Sequence, residues 1–157
     1  MAGVTVSVDL EAAPDAVWAD VERIEDHVEW MADAESIIFI GERRRGAGVR
    51  AEVATRFGPL RTTDVMEFTE WEPPHRMAVR HVGLFTGTGA FTLTEIEPGR
   101  TRFTWSERIE FPWFFGGRVG AWLARPVFRW VWRRNLRRLA ARFNGPGTPP
   151  SASPGTH

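Results

Sequence analysis

The feature that most restricts the fold is a long alternation of apolar and polar residues, from Ser36 to Phe111. Successive side chains of a β-strand point to opposite faces, so this period of two predicts strands with one buried face. Short turns rich in Gly and Pro interrupt the alternation, and such turns connect antiparallel neighbours. The turns are at 46–48, 58–59, 73–74 and 98–99. The expected six-stranded meander has strands at 36–42, 49–57, 60–71, 76–82, 89–96 and 101–111.

The residues on either side of this stretch predict one more strand and three helices. Apolar side chains alternate from Val4 to Leu10, which is typical of a half-buried strand. Pro14 suits the first position of a helix, and a second short helix is expected to carry Ile24 to Met31. A final helix should run from about 115 to 143. The order β-α-α-β6-α predicts the α+β class, with about seven antiparallel strands and a long C-terminal helix.

The chain length fits one domain, because 157 residues can bury a single core. We place this domain at 1–143. Residues 144–157 are rich in Gly, Pro and Ser and contain no aliphatic side chain larger than Ala, so a disordered tail is expected. The N-terminal residues have no basic start and no continuous apolar run, unlike a signal peptide, which predicts a cytoplasmic protein.

Composition and motifs exclude several kinds of chemistry. Twenty acids balance twenty basic side chains, all of them Arg, so no overall basic field favours nucleic acid. The absence of Cys and Lys excludes disulfides, thiolate nucleophiles and Schiff bases. Gly46–Ala51 fits the dinucleotide pattern G-x-G-x-x-A but opens a strand, so we interpret its glycines as a turn. The four histidines lack metal-ligand spacing, and the sequence predicts neither a metal nor a cofactor.

The predicted C-terminal helix combines an apolar stripe with a strong positive charge. Residues 112–143 hold eight Arg and no acid, whereas residues 1–35 hold ten acids and one Arg. We expect the stripe to pack on the sheet as core, and the alternative is a helix lying on a membrane surface. Three Arg within 111–132 argue against a membrane span, since each costs ~2.5–3.5 kcal/mol near a bilayer centre. The stripe is Val119, Trp122, Leu123, Val127 and Trp130, and beyond Pro126 it drifts towards Trp132, Leu136, Leu139, Ala140 and Phe143. The arginines for membrane contact are Arg133, Arg134, Arg137 and Arg138.

Three ionisable residues share a strand face with apolar neighbours two residues away. They are Asp64, His81 and Glu107, and burying such groups is costly unless they are paired or face a wet cavity. They are therefore candidates for polar groups, and for catalytic groups, in a mostly apolar pocket. The alternative is that each lies at the rim of the sheet, and the sequence leaves open whether the three meet. Gly87 and Gly89, within another strand, fit a bulge or a close backbone approach.

The element order and four segments resemble the START-like (helix-grip, SRPBCC) superfamily, in particular its polyketide cyclase/dehydrase and lipid-transport branch. The segments are the N-terminal strand with 12–31, the turn and strand at 70–82, the hairpin at 86–111, and the Arg-rich helix end at 133–143. The resemblance implies a curved antiparallel sheet that grips the C-terminal helix around a hydrophobic cavity. It covers residues 3 to 143, and it brings no universal catalytic residue with it.

The resemblance favours binding or transfer of a hydrophobic small molecule, such as a lipid, a polyketide or a quinone-like compound, in a cavity of roughly 300 Å³ or more. One alternative is a polyketide cyclase or aromatase-like enzyme, in which His81 with Glu107 or Asp64 supplies acid–base assistance. Another is an interaction module that uses the Arg-rich helix at a membrane or protein surface. A homodimer is compatible with the sequence, but no feature specifies one. The expected cavity residues are Trp30, Phe68, Val79, His81, Phe91, Leu93, Trp105, Glu107, Trp122, Leu123 and Val127.

Overall fold

The computed structural model describes residues 2–144, which form a seven-stranded antiparallel sheet and a long C-terminal helix. The tail expected at 144–157 lies outside the described residues, apart from Asn144. The strands are β1 (Ala2–Leu10), β2 (Ala34–Ile40), β3 (Arg50–Phe57), β4 (Leu60–Glu72), β5 (Arg76–Val82), β6 (Thr86–Glu97) and β7 (Arg100–Glu110). The helices are α1 (Pro14–Val21) and α2 (Gly117–Asn144), with 3-10 helices at Ile24–Glu29 and Trp113–Phe115.

The order of the strands in the sheet follows their order along the chain, except at β1. Its strand order is β1-β7-β6-β5-β4-β3-β2, so the first strand pairs with the last and the meander runs outward from there. All six pairings are antiparallel, as the short turns predict. The sheet curves around α2, and the α+β helix-grip prediction is confirmed. The second predicted helix is a 3-10 helix, and a 3-10 turn at 113–115 replaces the expected first turn of α2.

The core lies between the concave face of the sheet and α2. Trp30 contacts Phe91, Phe103 and Trp105, and the ring centroids are 5.9 to 6.3 Å apart. Trp132 of α2 stacks on Trp105, with ring centroids 5.3 Å apart and planes 30° apart. Aromatic side chains bury large areas and gain from such pair contacts, so this cluster fixes α2 against β6 and β7.

Only the C-terminal part of the predicted apolar stripe lies on the buried face of α2. The five stripe residues, from Val119 to Trp130, are 56% to 67% exposed, so their assignment to the core is wrong. A helix turns about 100° per residue, and the sheet covers only the opposite face. Ala121 and Asn135 mask that face in the sequence, whereas Trp132, Leu136 and Leu139 are buried as the drift of the stripe beyond Pro126 predicts. Its buried residues are Ala121, Phe128, Trp132, Asn135, Leu136 and Leu139.

Polar contacts hold the C-terminal half of α2 against the segments that follow β1. The fully buried Asn135 accepts a hydrogen bond from the Ala32 amide at 3.0 Å and donates to the Asp33 carboxylate at 2.6 Å. Arg142 donates to Asp20 at 2.6 to 2.9 Å, and Arg138 donates to the Glu29 carbonyl at 2.9 Å. Part of the basic helix end thus meets the acidic N-terminal region. No helix within residues 2–144 is long and apolar enough to cross a membrane.

Candidate functional site

An apolar cavity of about 240 Å³ lies between α2 and the concave face of the sheet. It is smaller than the roughly 300 Å³ expected from the sequence, and it opens to the surface at one end. Most of its wall is aliphatic or aromatic, and no arginine of the described chain lines it. The sequence-predicted residues that line it are Phe68, Val79, His81, Phe91, Trp105, Glu107 and Val127.

Four residues expected in the cavity lie elsewhere. Trp30 and Leu93 are buried in the core beyond the cavity wall, at 1% and 2% exposure, because neighbouring aromatic rings separate them from it. Trp122 and Leu123 point to the surface, because they belong to the exposed face of α2. Phe128 and Trp132 take their place on the helix side of the cavity.

The structure brings His81 and Glu107 together across an intervening strand. His81 is on β5 and Glu107 on β7, and β6 runs between them with Gly87 opposite His81 and Gly89 opposite Glu107. Strands lie about 4.8 Å apart, so two side chains separated by a whole strand meet only where that strand leaves room. A Cβ added at Gly89 would lie 2.9 Å from Cγ and Oε1 of Glu107. Gly89 therefore leaves room for the Glu107 side chain, whereas Gly87 allows a close approach to the backbone of Arg108 and Ile109. Both fit the close approach expected from the sequence.

His81 and Glu107 form an ion-pair contact inside the cavity. Nε2 of His81 lies 3.4 Å from Oε1 of Glu107, and their side chains are 19% and 10% exposed. At 3.4 Å this contact is at the long limit of a hydrogen bond, and its geometry leaves Nε2 without a well-formed hydrogen bond among residues 2–144. Burial disfavours the imidazolium, but attraction to Glu107 and then to Asp64 outweighs that cost and raises the pKa of His81 above its usual value.

Asp64 lines the same cavity but has a different set of contacts. Its carboxylate accepts hydrogen bonds from the Thr62 hydroxyl at 3.0 Å and from the Leu84 amide at 2.8 Å. Gly83 leaves room for it, since a Cβ there would lie 1.8 Å from Oδ1. Asp64 thus holds the turn between β5 and β6, and it acts on His81 through its charge. The three ionisable candidates all face one pocket, but Asp64 is already satisfied by protein donors.

A second buried donor belongs to a residue that lines the cavity, and sequence reasoning missed it. Nε1 of Trp105 is buried and has no hydrogen-bond acceptor in the described part of the chain. Its strand position predicts only an apolar ring, and no sequence signal shows whether an indole N–H will find a partner. An unpaired buried donor costs about 1–3 kcal/mol, so two of them in one cavity are notable.

Asp33 is a further cavity residue that the sequence analysis did not select. It lies in the loop before β2, outside any alternating stretch, so no periodicity marks it. Burial raises the pKa of the Asp33 carboxyl despite the hydrogen bond from Asn135. The polar part of the cavity therefore holds three carboxyl groups, on Asp33, Asp64 and Glu107, and one imidazole with a raised pKa. Within residues 2–144, no three His, Asp or Glu residues are grouped closely enough to hold a metal ion.

The raised pKa of His81 predicts a pH-dependent contribution to stability. A group with a raised folded-state pKa stabilises the fold below its unfolded pKa, near 6.5, and loses this effect as the pH rises through its folded pKa. Because burial lowers the pKa of His27, which acts in the opposite sense, the profile of the wild type alone does not isolate His81. We expect the wild type to exceed His81→Gln in unfolding free energy more at about pH 5.5 than at about pH 9.

Urea unfolding of both proteins across this pH range, followed by far-ultraviolet circular dichroism, measures the difference. His75→Gln is the matched control, because no charged partner of His75 is present among residues 2–144. A difference between wild type and His81→Gln that stays constant, or that grows with pH, would contradict the raised pKa.

A curved antiparallel sheet closed by a C-terminal helix around an apolar cavity defines the helix-grip class of α+β domains. Residues 1–144 match the family model for polyketide cyclase/dehydrase and lipid transport proteins, so the chain belongs to that family. Among curated proteins, none matches this sequence.

Solved structures share the fold at low sequence identity. TTHA0849 from Thermus thermophilus has a TM-score of 0.76 at 19% identity, covering 90% of this chain and 97% of that one. XoxI from Bacillus cereus has a TM-score of 0.73 at 16% identity, covering 92% and 97%. The Zhui aromatase/cyclase from Streptomyces sp. R1128 has a TM-score of 0.69 at 16% identity, covering 90% and 93%. These similarities establish the fold alone.

Proposed function

We propose that this protein binds a neutral, oxygen-bearing hydrophobic small molecule, such as a polyketide, a quinone-like compound or a lipid, in the cavity. The observation that carries the proposal is that His81 and Trp105 both line the cavity and each carries a buried ring nitrogen without a well-formed hydrogen bond among residues 2–144. A carbonyl or hydroxyl oxygen on the ligand would accept from them and remove the cost of leaving them unpaired. The aromatic and aliphatic walls would hold the rest of the ligand.

Charge and size narrow the ligand class further. The carboxyl groups of Asp64 and Glu107 outnumber the one imidazole, the raised pKa of Asp33 favours its neutral form, and no arginine of the described chain lines the cavity, so a free carboxylate or phosphate on the ligand would be repelled. An engineered cavity of about 150 Å³ binds benzene, so a space of about 240 Å³ suits a ligand of about two fused rings. A longer ligand would extend through the open end.

Three related probes test this proposal by isothermal titration calorimetry. Tetralin is a bare two-ring hydrocarbon, 1-tetralone adds one ketone oxygen, and 1-naphthoate adds a carboxylate. The ketone is expected to bind about 3- to 10-fold more tightly than the hydrocarbon, since a net hydrogen bond contributes about 0.5–1.5 kcal/mol. The carboxylate is expected to bind most weakly. Failure of the first two to bind, or tightest binding by the carboxylate, would contradict the proposal.

The Trp105 donor can be tested separately. Trp105→Phe removes the Nε1–H and keeps an aromatic ring against Trp132. We expect this variant to bind 1-tetralone about 3- to 10-fold more weakly, because one hydrogen bond is lost, while its affinity for tetralin changes little. Trp130→Phe, on the exposed face of α2, is the matched control and should leave both affinities unchanged. Equal losses for the ketone and the hydrocarbon would show that the ring, rather than its N–H, binds the ligand.

A cyclase-like enzyme is the second candidate function, and the contact between His81 and Glu107 favours it. A donor with a raised pKa lies 3.4 Å from a carboxylate in a mostly apolar cavity. If His81 donates to a ketone oxygen, Glu107 is placed beside it to remove a proton from the adjacent carbon. This step gives an enol or enolate, the nucleophile needed for carbon–carbon bond formation in a polyketone. Whether the protein only binds its ligand or also acts as an enzyme on it then depends on whether Glu107 exchanges protons with a bound ketone.

A further inference from the structure

The exposed apolar stripe of α2 is part of a larger surface that we call the mouth patch. It comprises the 3-10 turn Trp113, Phe114 and Phe115 together with Val119, Trp122, Leu123, Val127 and Trp130 of α2. Trp113 is 86% exposed, and five of the eight side chains are aromatic. Soluble monomers rarely expose large contiguous apolar patches, so a patch of this composition indicates an interaction surface.

The mouth patch borders the opening of the cavity. Phe115 and Val127 belong to the patch and also line the cavity. Phe85 lines the cavity from the turn between β5 and β6, and its ring centroid lies 5.6 Å from that of Phe115. Beside it, Leu84 and Val82 are 36% and 48% exposed. Apolar surface therefore continues without a break from the cavity wall to the outside of the protein.

Beyond Trp130, the same face of α2 carries positively charged side chains. Arg133, Arg134 and Arg137 are exposed, and the Arg134 guanidinium lies 5.6 Å from the centre of the Trp130 ring. None of these three forms an ion pair with any residue of 2–144, and no acid occurs from 112 to 143. Arg138, which the sequence grouped with them, donates instead to the Glu29 carbonyl. Arg118 and Arg129 flank the patch and are also exposed.

This combination fits one partner better than the others. Trp side chains favour the boundary between lipid headgroups and acyl chains, and Arg side chains beside them can reach anionic phosphates. In a two-fold symmetric dimer, a second copy of this chain would offer the same face, which has no acid to pair with its arginines. A helix with apolar and basic segments on one face, and with its opposite face packed on the sheet, matches an anionic bilayer.

We propose that the mouth patch and Arg133, Arg134 and Arg137 dock this protein on anionic lipid bilayers, with the cavity mouth against the membrane. In this orientation a hydrophobic ligand passes between bilayer and cavity without crossing water. The docking does not depend on which ligand the cavity holds, whereas this transfer route rests on the proposed function.

Flotation with vesicles of about 30% phosphatidylserine in phosphatidylcholine, compared with phosphatidylcholine alone, tests the docking. Binding is expected to be at least about 10-fold stronger to the anionic vesicles and to weaken as salt is raised from about 0.05 to 0.5 M. Arg133→Ser/Arg134→Ser/Arg137→Ser and Trp113→Ser/Trp122→Ser should each lower the binding at least about 10-fold, since they remove charge and apolar contact respectively.

Two control variants have the same types of substitution at positions outside the mouth patch. Arg43→Ser/Arg44→Ser/Arg45→Ser removes three charges from the turn before β3, and Ile38→Ser/Ile40→Ser removes two exposed apolar side chains from β2. Both should bind the vesicles within about 2-fold of the wild type. No binding to anionic vesicles at low salt, or equal losses in the controls, would overturn the proposal. A dimer in sedimentation velocity that Trp113→Ser/Trp122→Ser dissociates would also overturn it and assign the patch to a second copy.

The 1-tetralone titration separates this proposal from the proposed function. Trp113 and Trp122 do not line the cavity, so the Trp113→Ser/Trp122→Ser variant should bind the ketone like the wild type while losing the vesicles. Vesicle binding without ketone binding by the wild type would leave the docking in place and remove the proposed ligand class.

Discussion

Replacing Trp132 with Ala is expected to lower the unfolding free energy by about 3–5 kcal/mol, as for other buried large-to-small changes. Trp132 is 3% exposed, and it stacks on Phe128 at 5.2 Å and on Trp105 at 5.3 Å between ring centroids. It lies at the centre of the contact between α2 and β7. Its removal costs the transfer free energy of the indole and joins the space that it leaves to the existing cavity.

Trp130→Ala is the matched control for this prediction. It removes the same side chain two residues earlier on the same helix, where the indole is 62% exposed, and it should change stability by no more than about 0.5 kcal/mol. Urea unfolding followed by far-ultraviolet circular dichroism measures both changes, since helix and sheet signals do not depend on which Trp is lost. Similar costs for the two variants would mean that α2 packs on the sheet through both faces. A larger cost for Trp130→Ala would mean that the buried face is wrongly assigned.

The strands were predictable because one face of the sheet is exposed to solvent, which favours polar residues at alternate positions. Long parts of the strands from β3 to β7 keep a period of two, and most of the turns between them contain Gly or Pro. The same alternation placed Asp64, His81 and Glu107 on the concave face. The alternation determines on which face of the sheet a side chain lies, but it does not determine how far apart two side chains on that face are. That His81 and Glu107 meet depends on the strand register and on Gly89 of β6, which leaves room for Glu107, and only the folded sheet reveals both.

The face that the N-terminal half of α2 buries was not predictable from hydrophobicity, because the most apolar stripe of that half is the exposed one, whereas Trp132, Leu136 and Leu139 are buried as expected. Val119, Leu123 and Val127 outrank Ala121 and Asn135 on any apolar scale, yet the last two are buried. Asn135 is buried because it pairs with the Ala32 amide and Asp33, contacts that bring together segments about a hundred residues apart. Prediction from a hydrophobic pattern assumes that the more apolar face of a helix is the buried one. That assumption fails where a second apolar face of the helix is part of an exposed patch.

Glu107→Gln is expected to slow hydrogen–deuterium exchange at C2 of 1-tetralone by about 10²–10⁴-fold relative to the wild type, which is the usual size of a general-base contribution. In the proposed step, the Glu107 carboxylate takes the C2 proton and the His81 N–H stabilises the developing oxyanion. Return of a deuteron from the carboxyl group, after exchange with solvent, restores the ketone with one deuterium. No oxidant or cofactor is required. Proton NMR in deuterated buffer follows the loss of the C2 signal directly.

The control for this exchange is Glu110→Gln, which removes an exposed carboxylate of the same strand and should leave the rate unchanged. His81→Gln should slow the exchange less than Glu107→Gln, since an amide N–H can still donate to the oxygen while the base is retained. Binding of the ketone, measured by calorimetry on each variant, separates a lost base from a lost ligand. If the wild type binds 1-tetralone but exchanges C2 no faster than buffer does, then Glu107 is not a base for bound ketones. In that case His81 and Glu107 would orient the ketone oxygen of the ligand without removing a proton from the adjacent carbon. Ligand binding alone, as in the lipid transport proteins of the family, would then account for this cavity.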